Sequence, residues 1–214
     1  MSTASSKELA NLLNGASTHP ELVVDNISSL ISADSSSVSF YSDKKLKDQL
    51  KNCKAGLMIL RKKDSDDWTG PSIFVDDPYL AFAIVANFFK KRVDVVTEHH
   101  KTALIGKNSK IDKNVYLGPY VVIKENIVLG KLVTIDANTT IGNNVSIGSG
   151  TRIHSQVTIG DNVKIGSNCE IFPGAAIGVD GFGYSQDKNS TWIKIPQIGS
   201  VIISDNVDIG SNTT

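Results

Sequence analysis

From residue 105 to residue 177 every sixth position is apolar and branched, in the series Ile105, Ile111, Leu117, Ile123, Leu129, Ile135, Ile141, Ile147, Ile153, Ile159, Ile165, Ile171 and Ile177. Eleven of these thirteen are Ile, so the spacing is a structural rule of the chain. The position after the apolar residue is Gly in eight of the thirteen hexads, and the fourth position is Asn seven times and Gly twice. The fifth position is small or β-branched, as at Ser109, Val115, Val121, Thr139, Val145, Cys169 and Ala175. A helix spaces its apolar residues by three and four and a half-exposed strand by two, so a strict six predicts three short strands per coil of a parallel β-helix. The first residue of each hexad stacks on its equivalents in neighbouring coils, and the fifth fills what is left of a narrow core. The fourth sits at a corner that needs positive φ, which Asn and Gly adopt cheaply.

The repeat spans 103–214 and breaks once. After Ile177 the next firm hexads start at Ile203 and Ile209, with Gln197 read as a weaker member, so the interval is 26 residues where 24 would keep the period. A loop, 178–196, is therefore expected to leave the scaffold, and such loops carry function more often than the scaffold does. It contains Gly181-Phe182-Gly183-Tyr184, a polar stretch, and then Trp192-Ile193-Lys194-Ile195-Pro196. The glycines beside Phe182 and Tyr184 predict an unusual backbone holding those rings near a ligand or a subunit boundary. Lys194 reads either as a solvated cation or as a partner for a substrate phosphate.

Residues 1–90 show no six-residue period and read as a separate α/β domain, with 91–102 as a charged linker. Ser5 with Glu8 forms a capping box ahead of Leu9, Leu12 and Leu13. Val38 to Phe40, Gly56 to Leu60 and Ser72 to Val75 are expected strands, and Lys44 to Asn52 is an expected short helix. Asp77-Pro78 is a cap and first-turn pair opening a helix from Tyr79 to Phe89.

Composition narrows the function classes. Lys plus Arg and Asp plus Glu are both 22, and each side of residue 102 is balanced, so no basic face points to nucleic acid. The apolar run from Tyr79 to Phe89 is far short of the roughly 20 residues of a membrane span, and the polar amino terminus is no signal peptide, which implies a cytoplasmic protein. Cys53 and Cys169 have no metal-like spacing and read as reduced thiols, and His99-His100 as solvated linker residues. No metal or cofactor is expected.

The order of parts resembles the lipid A N-acyltransferases, the UDP-3-O-acylglucosamine N-acyltransferase family. The Val-Ser-Phe strand, the Asp-Pro-Tyr-Leu-Ala-Phe helix start and the hexads contribute to the resemblance. Its strongest part is Gly178-Val179-Asp180-Gly181-Phe182-Gly183-Tyr184 followed by Trp192-Ile193-Lys194-Ile195-Pro196-Gln197-Ile198-Gly199. The resemblance implies a left-handed coil, whereas ordinary parallel crossovers are right-handed. It also implies a homotrimer with its site between subunits, and transfer of a 3-hydroxyacyl group from acyl carrier protein to the 2-amino group of UDP-3-O-acylglucosamine. A family histidine acts as general base on that amine and backbone donors hold the oxyanion.

Carried over residue by residue, the resemblance assigns Phe40, Asp43 and Leu46 to the uridine pocket and Phe182, Tyr184, Lys194 and Gln197 to the loop side of substrate binding. Two of these depart from the family: Asp43 stands where Asn is usual and Leu46 where a second aromatic is usual. The family's catalytic histidine belongs to a later coil, so no catalytic residue is assigned, and a chain of residues 1–214 is expected to be an inactive fragment. His154, the one histidine on the solenoid, reads as an exposed or neighbour-packed residue, with catalytic base as the lesser reading. A γ-class carbonic anhydrase would need several histidines there. A non-enzymatic nucleotide-sugar-binding trimer and a sugar O-acyltransferase remain as alternative functions.

Overall fold

The protein is described by a computed structural model over residues 3–90 and 97–214. It divides into two compact units, Met1–Val93 and Asp94–Thr214.

The first unit opens with β1 (Ala4–Ser5) and α1 (Ser6–Leu12). The capping box is formed: Ser5 Oγ accepts the Glu8 N–H at 3.2 Å and the Glu8 carboxylate accepts the Ser5 N–H at 2.7 Å. Then come β2 (Ala16–Ser17), β3 (Val23–Val24), β4 (Asn26–Ile27), β5 (Ser37–Tyr41), α2 (Lys47–Lys51), β6 (Leu57–Leu60), β7 (Ser72–Phe74) and α3 (Pro78–Phe89). β4 to β7 are parallel, and β2 closes one edge antiparallel, in the order β2-β7-β6-β5-β4. β6 lies at the centre with all four residues buried, which explains its unbroken apolar run. Along it Leu57 and Ile59 face Leu9, Ala81 and Val85, while Met58 and Leu60 face Tyr41 and Leu50 on the other side. α3 starts where Asp77 accepts the N–H groups of Tyr79 and Leu80 at 3.0 and 3.1 Å.

The expected helix from Lys44 to Asn52 is two pieces, a 3₁₀ turn at Lys44–Leu46 and then α2. The two-residue strands and the 3₁₀ turn at Lys62–Asp67 were not expected, since elements so short carry no periodicity.

The second unit is a left-handed parallel β-helix with three five-stranded parallel sheets. Each coil adds eighteen residues, so Ile123, Ile141, Ile159 and Ile177 are successive partners in one sheet. Corner residues at the fourth hexad position from Asn108 to Gly174, Asn114 excepted, take φ from 55° at Asn168 to 77° at Gly174. Side-chain amides link corners between coils, with Asn126 donating to Asn144 and Asn144 to Asn162, both at 3.1 Å. The glycine rule has a separate cause. A Cβ at Gly148 would lie 2.5 Å from the Gly166 carbonyl carbon, and one at Gly160 would overlap the Gly178 carbonyl, so stacked coils leave no room for a side chain. Buried Thr139 and Thr151 donate to the carbonyls of His154 and Gly166 at 2.8 and 2.7 Å, which lets a hydroxyl enter this core.

Two expectations are corrected. Gln197 is no hexad: Ile203 pairs with Ile165 and Ile209 with Ile171, thirty-eight residues apart where a coil takes eighteen, so the excursion adds twenty residues between consecutive hexads. Of the expected linker, 91–96 lie outside the described residues, while 97–102 join the solenoid. Leu117 donates to the Glu98 carbonyl at 3.0 Å and accepts from the His100 N–H at 2.8 Å, because a sheet edge at the first coil offers unpaired backbone groups.

Corners held by Tyr120, Leu132 and Gln156 take φ of 58°, 58° and 63° without the tolerance of Asn or Gly. Leu132→Asn is expected to stabilise the chain by about 1 kcal/mol, since left-handed φ costs an ordinary residue about that much. Ile135→Ala, in the fully buried stack, is expected to cost about 2–5 kcal/mol. Both are read from denaturant midpoints, and a Leu132→Asn protein no more stable than its parent would show that the corner carries no strain.

Candidate functional site

The three amino-terminal candidates cluster around the end of β5. Phe40 is half-buried, its ring 4.2 Å from that of Phe82 and 5.7 Å, edge-on, from that of Tyr79. Asp43 is exposed and accepts the Lys45 N–H at 2.9 Å, so its carboxylate caps the 3₁₀ turn. Leu46 is half-buried against Tyr41, Leu50 and Leu60. The structure therefore does not bring Phe40 and Leu46 to one face. Phe40 packs on the side of α1 and α3, and the turn after β5 folds Leu46 over the opposite side. Tyr41 is withdrawn entirely: it is buried and donates from its hydroxyl to Asp67 at 3.4 Å, and burial pushes its phenol pKa up. The residue that sequence reading missed is Tyr79, an exposed ring beside Phe40 at the start of α3. Its signal was its place directly after the Asp77-Pro78 cap.

The other four candidates lie on the excursion from the solenoid. Tyr184–Gln186 pairs antiparallel with Trp192–Lys194, and Asp187 closes the turn by accepting the N–H groups of Asn189 and Thr191 at 2.8 and 2.9 Å. Phe182 is 95% exposed, with its ring 4.9 Å from that of Tyr184. Lys194 is exposed but paired, donating to Asp180 at 2.5 Å, and this bond holds its ammonium pKa above the usual lysine value. The Gln197 amide donates to the Ile195 carbonyl at 3.5 Å. Gly181 and Gly183 are not in the left-handed region, which corrects the expectation of a special backbone at Phe182; among the glycines here only Gly178 has positive φ, 66°. Nor does space require glycine at 183, since a Cβ there would meet Ile195 and Gln197 at 3.6 and 3.7 Å, which is ordinary contact.

A third cluster lies on one face of the solenoid. His154 Nε2 is 2.8 Å from Glu170 and its Nδ1 is 3.7 Å from Asp136, which also accepts from Arg152 at 3.0 Å. The imidazole stacks on Phe172 at 5.0 Å and 11°. His154 is therefore hydrogen-bonded to Glu170 and stacked on Phe172, which makes it a bridge between coils. Writing the hexads in rows of eighteen exposes the signal, because Asp136, His154 and Phe172 then fall in one column where the other columns carry mostly Gly. Among the described residues no group of three or more His, Cys, Asp or Glu is arranged to hold a metal ion.

Below the β5 end, Lys47 bonds Asp67 at 2.6 Å and holds the Asp67 carboxyl below the usual carboxylate range. A depressed carboxylate stabilises the fold above its unfolded pKa, about pH 4, and that contribution is lost as the pH falls through the folded value. Lys47→Met is expected to be less stable than its parent at pH 7, with the gap closing toward pH 2. Urea denaturation across that range checks this, and a gap independent of pH would mean that the pair acts through packing alone.

Residues 21–88 match the family described as UDP-3-O-(3-hydroxymyristoyl) glucosamine N-acyltransferase, LpxD, and residues 138–173 match the bacterial transferase hexapeptide repeat. A UDP-3-O-acylglucosamine N-acyltransferase of Shewanella oneidensis is 46% identical across 100% of this chain and 63% of its own length. One of Pseudomonas entomophila is 36% identical across 96% of this chain and 59% of its own length. This chain thus spans about three fifths of the length of the curated relatives it matches. The acetyltransferase domain of PglB from Neisseria gonorrhoeae, in complex with acetyl coenzyme A, aligns to 80% of this chain and 100% of its own at 15% identity and a TM-score of 0.32, too slight a likeness to carry an argument. With the amino-terminal unit and the solenoid each matched and the alignment continuous between them, the chain is similar along its whole length to the UDP-3-O-acylglucosamine N-acyltransferases.

Proposed function

We propose that the protein moves a 3-hydroxyacyl group from acyl carrier protein to the 2-amino group of UDP-3-O-acylglucosamine in lipid A biosynthesis, as a cytoplasmic homotrimer. The observation that carries this reading is the joining, in one chain, of the family's amino-terminal unit to a solenoid bearing the Asp180 to Gly199 excursion. In the reaction the amine lone pair attacks the thioester carbonyl carbon, the C–S bond breaks, the carrier thiol leaves, and the amine proton passes to a base. In this scheme residues 1–214 serve binding and assembly, because His154 is held between coils by Glu170 and Phe172 and is not assigned the role of that base. The exposed Phe182, Trp192 and Ile198 support association, because apolar surface of this kind is usually covered in an assembly. Among the described residues no helix is long and apolar enough to cross a membrane.

At the nucleotide end, Phe40 offers a ring for uracil with Tyr79 beside it, where Leu46 supplies none. Asp43 can only accept hydrogen bonds, and a uracil carbonyl facing it is unfavourable. Asn caps a turn as well as Asp does, so Asp43→Asn leaves the fold intact. It is expected to tighten UDP binding measured by calorimetry, whereas Leu46→Tyr, in the opposite layer, should add nothing. Phe40→Ala should weaken binding tenfold or more, since stacking on a base is worth about 1–3 kcal/mol. Unchanged affinity in Phe40→Ala would remove the pocket. The reaction itself is checked by mass spectrometry of the product of the full-length protein, where an ester in place of an amide would exclude N-acyl transfer.

A further inference from the structure

The amino-terminal unit carries a groove of about 850 Å³ that includes none of the uridine candidates. It opens between the end of α1, the carboxyl ends of β6 and β7, and the first turns of α3. The floor is apolar, formed by Leu13, Phe74, Val75, Leu80, Ala81 and Ile84. Leu80 is 57% exposed and Ile84 36%, so the α3 wall leaves large apolar side chains in water.

The charges are segregated on the rim. Arg61, Lys62 and Lys63 follow β6, and Asp76 and Asp77 follow β7. Several are already committed. Arg61 donates to Asp64 at 2.7 Å and to the Ser42 carbonyl at 2.8 Å, and Asp77 is used as the cap of α3. Lys62 lies with its ammonium 4.4 Å from the centre of the Phe74 ring. Among the described residues neither Lys62 nor Lys63 has an ion-pair partner. Two lysines without ion-pair partners therefore stand at one rim of an apolar channel, with the carboxylates of Asp76 and Asp77 at the other.

A bare nucleotide or inorganic phosphate would satisfy the lysines and leave the apolar floor wet. A neutral hydrocarbon would do the reverse. The volume is in the range of small-molecule sites, with a few polar groups fixing the orientation of a mostly apolar occupant. We propose that this groove binds a free long-chain fatty-acyl carboxylate, with its chain along Leu80 and Ile84 and its carboxylate on Lys62 and Lys63. Compact ammonium groups suit a carboxylate head as point charges, and the hydrocarbon supplies the larger part of the affinity. The site does not depend on the transferase reaction proposed above.

Calorimetric titration of the 214-residue chain with dodecanoate, kept below its micelle concentration, tests the assignment, with dodecyltrimethylammonium as the same chain bearing the opposite head. Dodecanoate is expected to bind one per chain and the cationic amphiphile at least tenfold more weakly. Lys62→Gln with Lys63→Gln should weaken dodecanoate at least tenfold and flatten its salt dependence, and Ile84→Gln, at a part-exposed position, should weaken it without altering the thermal midpoint. UDP titrated in parallel reports on the uridine pocket alone, so the two readings fail separately. Equal binding of the two amphiphiles, or parental affinity in both groove variants, would overturn the proposal. So would sedimentation of the chain with phosphatidylglycerol vesicles while monomeric dodecanoate fails to bind, which would point to a membrane surface.

Discussion

The stacking of one coil directly on the next is the constraint from which the rest of the solenoid follows. Ile on Ile at eighteen-residue spacing sets the core, and the close approach of the coil corners then excludes any Cβ at most second positions. The same closeness allows Asn126, Asn144 and Asn162 to bond through their side chains, and lets Thr139 and Thr151 reach a carbonyl across the core. Where one column departs from Gly, side chains must lie flat on the surface, and Asp136, His154 and Phe172 form a ladder there, with His154 stacked on Phe172 and hydrogen-bonded to Glu170. The rule also explains how a twenty-residue excursion is accommodated. The chain leaves after Ile177 and returns with Ile203 on Ile165, and Asp205 accepts the Ser167 N–H at 2.7 Å as any corner residue would.

The amino-terminal unit obeys a different constraint, the two-faced burial of its parallel sheet. Neighbours on a strand must go to opposite layers, so Phe40 and Tyr41 cannot serve one ligand together. Tyr41 is spent on the Asp67–Lys47 pair, and Leu46 helps to cover that layer. What the carboxyl edge then leaves open is the Phe40–Tyr79 corner and, past β6 and β7, the lysine-rimmed groove, in keeping with the tendency of open parallel sheets to bind ligands at that edge.

Much of this architecture was legible before any coordinates. A six-residue period is long, repetitive and local, so Ile105 to Ile177 declared both the core and the corners, and the Ser5–Glu8 and Asp77-Pro78 caps declared where two helices begin. The sequence by itself also determined the point at which the solenoid is interrupted. It misread the size of the interruption, because Gln197 falls in phase by accident and phase alone cannot show whether a residue enters the core.

What the tertiary structure alone decided is which side chains meet. The candidate residues Phe40 and Leu46 are six apart and look equivalent as pocket walls, yet the turn after β5 sends them to opposite layers. Lys194 looks like a free cation in sequence, and the hairpin gives it Asp180. His154 looks isolated, and coil stacking delivers Glu170 and Asp136, sixteen and eighteen residues away, to its ring. In each case the deciding contact is long-range, set by the pitch of a coil or the pleat of a sheet. Local pattern carries periodicity and capping, because those interactions span a few residues. It does not carry partnership between distant side chains, because that depends on where the whole chain has already been placed.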